Sequence, residues 1–78
     1  MEEFTPLECV ALTRDLPEHA LRTGDLGAIV EVCARDGLEV EFVTADGRTQ
    51  ALVVLQASDV RKVGPRDIVA VRPVQPAA

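Results

Sequence analysis

A chain of 78 residues has room for one hydrophobic core, and with 47% hydrophobic residues but only Phe4 and Phe42 as aromatics that core must be aliphatic. Thirteen acids against eight bases give a net charge of −5 with no block of either sign, which repels a phosphate backbone and argues against nucleic-acid binding. No apolar run approaches the roughly 20 residues of a membrane helix, and the acidic Met1-Glu2-Glu3 opening is unlike a signal peptide, so a cytoplasmic chain with no membrane partner is the expectation.

In chain order, Glu8 to Thr13 reads as a first strand with Val10 and Leu12 on one face; Pro17 would cut short a rival helix from Phe4. Residues 14–24 carry Pro, Gly and much charge without either regular period, which predicts a long loop. Gly24-Asp25-Leu26-Gly27 supplies glycines for positive φ or close backbone approach before a strand over 28–33. It lacks the Lys-Ser/Thr and following helix of a phosphate loop, so the reading is a structural turn.

Asp36-Gly37 marks a tight turn, and Leu38-Glu39-Val40-Glu41-Phe42 alternates apolar with acidic residues at a period of two. Leu38, Val40 and Phe42 are predicted to face the core and the two glutamates water; the same parity places Val30 and Val32 inward opposite Glu31. After a second Asp-Gly turn at Asp46-Gly47, a strand over 49–55 presents Ala51, Val53 and Leu55 on the face opposite Gln50. Ser58-Asp59 caps one helical turn, Val60 to Val63 forms a fifth strand, and Gly64-Pro65 breaks it.

Asp67 to Arg72 is β-prone again and predicts an extra C-terminal strand, which would cover an edge of its own sheet or pair with a second copy to make a homodimer. Residues 73–78 are expected to be a flexible tail. The reading is a single all-β domain over 1–78, with its core in 7–63.

Five short strands with a long first loop, two tight hairpins and a one-turn helix before the last strand resemble the SH3-like barrel. Within that fold, the run Thr13-Arg14-Asp15-Leu16-Pro17-Glu18-His19, then Leu21-Arg22-Thr23-Gly24-Asp25-Leu26-Gly27, Val40-Glu41-Phe42 and Ser58-Asp59-Val60-Arg61 resemble a family of short uncharacterised bacterial proteins, a domain of unknown function. That likeness implies a stand-alone barrel, some members being encoded beside a larger partner as its antitoxin or immunity protein. Thr13-Arg14, Pro17, Gly24 and Gly27 also keep the rhythm of the barrel in the β-subunit of nitrile hydratase, which implies an accessory role beside a metal-bearing subunit.

Candidate sites are few. His19 is the only histidine, and beside Asp15 and Glu18 it raises an acid–base or metal alternative, although the loop lacks a nucleophile. Cys9 and Cys33 fall on outward-facing parity, without the paired Cys or His that zinc requires. A proline-peptide groove needs an aromatic surface that a chain without Tyr or Trp cannot build. The expectation is therefore a non-enzymatic protein-binding module with no catalytic residues, no cofactor and no metal, contacting its partner through Arg14, Asp15, Pro17, Glu18, His19 and Arg22. An accessory enzyme subunit and an RNA-binding barrel are the alternatives.

Overall fold

The computed structural model describes residues 3–75. Five antiparallel strands, β1 (Cys9–Leu12), β2 (Leu26–Val32), β3 (Gly37–Val43), β4 (Thr49–Gln56) and β5 (Val60–Lys62), form one sheet in the order β4-β3-β2-β1-β5. The all-β architecture read from the sequence is present. No ladder joins β4 to β5 among the described residues, so the sheet is open. The expected helical turn is a 3-10 turn at Ala57–Asp59, closed by a capping box between Gln56 and Asp59. No helix among the described residues is long and apolar enough to cross a membrane.

Alternation does most of the work. Leu38, Val40 and Phe42 of β3 are buried while Glu39 and Glu41 lie on the other face, half-buried. Val10 and Leu12 of β1, Ile29 of β2, Ala51 and Leu55 of β4 and Val60 of β5 join them in one aliphatic cluster around Phe42. Both edge strands thus feed the same interior, which requires the sheet to bend around it. Register shifts between Ile29 and Glu31 and between Phe42 and Val43 supply that bend.

The first of these shifts corrects the expected parity of β2. Ile29, not Val30 or Val32, enters the core with no exposed surface, whereas Val30 and Val32 are about half exposed. Gly27 and Ile29 share the inward parity, Val30 is the extra residue at the bulge, and Val32, paired with Leu38 beyond it, is already the last residue of its strand. β2 also begins at Leu26, two residues earlier than expected, so Gly27 lies inside the strand. A Cβ there would sit 2.6 Å from Val40 Cγ1 and 2.8 Å from Phe42 Cε2, so the Phe42 ring packs directly on the β2 backbone.

The β2–β3 turn is centred one residue earlier than Asp36-Gly37. Arg35 and Asp36 both take φ 62°, the Gly37 N–H donates to the Ala34 carbonyl, and Gly37 itself is buried in β3. Two consecutive positive φ values are what a primed hairpin turn needs, and Asn-Gly is the pair that adopts them most easily. Arg35→Asn with Asp36→Gly is therefore expected to stabilise the protein by roughly 0.5–1 kcal/mol, read as a raised urea midpoint at unchanged slope.

The segment Asp67–Arg72 does not form the expected extra strand. It joins no ladder, and Ile68 and Val71 are 91% and 97% exposed. Gly64-Pro65 turns the chain, the Asp67 N–H donates to the Gly64 carbonyl, and Asp67 receives both the Gly64 N–H and the Arg61 guanidinium. Beyond that turn the chain runs to the connector and the start of β4, where Arg72 meets Asp25 and Gln75 meets Gln50. Residues 73–75 of the expected flexible tail are anchored, the Gln75 carbonyl accepting from Gln50 at 3.0 Å; 76–78 lie outside the described residues.

Candidate functional site

The β1–β2 connector is a folded part of the core, not a loose loop. Leu16 and Leu21 are buried, and their backbones exchange two hydrogen bonds of 2.9 and 3.1 Å in an isolated bridge. Between them Pro17–His19 makes a 3-10 turn, with proline at the start where its missing N–H costs nothing and Ala20 at φ 58° closing the turn. At the base, the Thr13 N–H donates to the Asp59 carbonyl and the Gly24 N–H to the Leu12 carbonyl, Gly24 taking φ 92° to do so.

These anchors set two of the six expected contact residues apart from the other four. Arg14 and Asp15 are committed internally. The Arg14 Nε donates to Asp59 at 2.8 Å, a bond that raises the guanidinium further and lowers the Asp59 carboxyl. Asp15 accepts the Thr23 N–H at 2.8 Å and its hydroxyl at 3.0 Å, and those bonds hold its pKa below the ordinary range. Pro17, Glu18 and Arg22 project into solvent, with backbone bonds alone holding Pro17 and Arg22: the Pro17 carbonyl accepts the Ala20 N–H, and the Arg22 N–H donates to Asp25.

His19 is half-buried, and its carbonyl accepts from Gln50 Nε2 at 3.1 Å. No hydrogen bond or ion pair joins its imidazole to Asp15 or Glu18 among the described residues. The hydroxyls of Thr13 and Thr23 donate to the Ser58 carbonyl and to Asp15. No three His, Cys, Asp or Glu side chains come together in a metal-holding group among the described residues, and Cys9 and Cys33 are free thiols.

A second element of the site escaped the sequence reading. The C-terminal segment runs back over the connector, where Arg72 grips Asp25 through both carboxylate oxygens and reaches the Ala20 carbonyl at 3.2 Å. Partial burial pushes the Asp25 carboxyl up, but the bonds from Arg72 and the Arg22 N–H outweigh it and leave a net lowered pKa. Gln50 ties the arrangement together by donating to both His19 and Gln75. Between the segment and the body lies an open cleft of about 910 Å³, floored by Leu21, Leu26, Phe42, Val43 and Val63.

These carboxylates set an acid limit on the fold. Asp67 falls to about 2, first through Arg61 and then through the Gly64 N–H, and Asp15, Asp25 and Asp59 are also depressed. A folded pKa below the unfolded value of about 3.9 stabilises the fold above that value, and the contribution disappears as pH falls through the folded pKa. The urea midpoint should therefore drop between about pH 4 and pH 2, and Asp67→Asn should flatten the last part of that drop.

No curated protein and no solved structure matches the chain. A family model described as Domain of unknown function (DUF4926) matches residues 7–62, from the turn before β1 to the last residue of β5 and short of the strapping segment. Matched over more than half its length, the chain belongs to that family.

Proposed function

We propose that this protein is a non-enzymatic module that docks one protein partner through the rim of the β1–β2 connector. The observation that carries the reading is the rigid display of Pro17, Glu18 and Arg22. Their backbone is pinned by the buried Leu16–Leu21 bridge on one side and by Asp15 and Asp25 on the other. Exposed polar side chains on a preordered loop bind without the ordering cost that a flexible loop incurs. Arg14, spent on Asp59, belongs to the scaffold of this rim.

Two finer readings accompany it. The strand order, the long first connector and the 3-10 turn before a short β5 support an SH3-like barrel, in which the sheet curls around Phe42 without a closing ladder. The partner is proposed to be a larger bacterial cytoplasmic protein that the module inhibits or stabilises, as an antitoxin, immunity protein or accessory subunit would. The excess acid supports a protein partner over RNA.

The test is affinity capture with the purified chain and with a Pro17→Ala/Glu18→Ala/Arg22→Ala variant. The variant should lose the partner that the wild type retains, while Glu39→Ala/Glu41→Ala, on the outer face of β3, should keep it. Retention by the connector variant would remove the rim from the account.

A further inference from the structure

We infer that β4 is a self-complementary edge through which two copies of this chain pair, β4 against β4 about a twofold axis centred on Val53. The two edges of the sheet are built differently. β5 has three residues, carries Arg61 and Lys62, and runs into the segment that Asp67 folds back on it. Short length and charge are the ordinary guards of an edge strand. β4 has eight residues, Thr-Gln-Ala-Leu-Val-Val-Leu-Gln, with no charge, proline or glycine, and among the described residues its only ladder is with β3. Its outer-face residues Leu52 and Val54 are more than half exposed.

The sequence of β4 selects its occupant. In an antiparallel pair centred on Val53, Leu52 faces Val54 of the second copy, Ala51 faces Leu55 and Gln50 faces Gln56. Apolar residues then meet apolar ones, while the Gln50 amide stays on the His19 and Gln75 carbonyls at the end of the strand. The nearest charges are compatible with the pairing. Glu41 lies beside Leu52 and Glu39 beside Val54 on β3. Across the dimer, Glu41 and Glu39 of the second copy are three strand spacings apart, roughly 14 Å, beyond the screening length of about 8 Å at physiological salt. A chain of net charge −5 thus has one edge along which a second copy brings no acids into close opposition. This pairing uses none of Pro17, Glu18 and Arg22.

Sedimentation equilibrium over a concentration series tests it. The wild type should approach twice its monomer mass at high concentration. Val54→Lys should stay monomeric with an unchanged circular dichroism spectrum, and Val30→Lys on β2 should dimerise like the wild type. Hydrogen exchange of the wild type gives a measure free of mutational damage: β4 amides pointing away from β3 should slow as concentration rises. A wild type that remains monomeric, β4 amides indifferent to concentration, or a dimer that survives Val54→Lys and dissociates on Ile68→Lys would each overturn the proposal.

Discussion

Phe42→Ala is expected to leave little folded protein at room temperature. Phe42 is 2% exposed within the hydrophobic core cluster, and its ring packs on the β2 backbone at Gly27. Emptying such a site costs about 3–5 kcal/mol. A domain of this size has roughly 4–12 kcal/mol of stability, with small domains toward the low end. The opposite error should be milder and diagnostic. Gly27→Ala forces a methyl group into the same contact and should cost on the order of 1–3 kcal/mol. Combined with Phe42→Leu, which withdraws the ring, it should cost less than the sum of the two single changes, because both act on one contact. Urea denaturation of the four proteins closes the cycle, and additive effects would mean that β2 and β3 do not meet as described.

Leu16→Ala is the second large effect, expected to cost about 2–5 kcal/mol although the residue lies outside every strand. The side chain is 1% exposed among the core residues, and its backbone pairs with Leu21. A mobile connector would instead tolerate the change with little effect. The same variant should abolish partner capture by loosening the backbone that carries Pro17, Glu18 and Arg22, even though none of the three is altered.

The contrast between these residues shows what the sequence could and could not convey. β3 was legible because every second residue is apolar and the intervening ones are glutamates, so one register alone keeps the acids out of the core. The faces of β2 were not, because a bulge at Val30 shifts parity without leaving a mark in an apolar run. Leu16 and Leu21 disappeared among prolines, glycines and charges, since two leucines anchoring an irregular loop have no period. Their burial depends on the bridge that the 3-10 turn creates.

Of the six candidate contact residues, the sequence did not convey which are held internally and which face solvent. Arg14 and Asp59 are 45 positions apart, and Arg72 and Asp25 are 47 apart, separations at which no local pattern couples them. The β-prone stretch 67–72 misled for a related reason: Val and Ile favour a pleated surface only where a neighbouring strand supplies one, and this stretch joins no ladder and leaves Ile68 and Val71 exposed.

Amide hydrogen exchange at Leu16 and Leu21 addresses most directly whether the connector is part of the folded core. If it is, both amides exchange only through the opening that also exposes Val40, with protection within about tenfold of that strand. Exchange at open-chain rates while Val40 stays protected would show a connector that moves independently, and the rigid rim would have no physical basis.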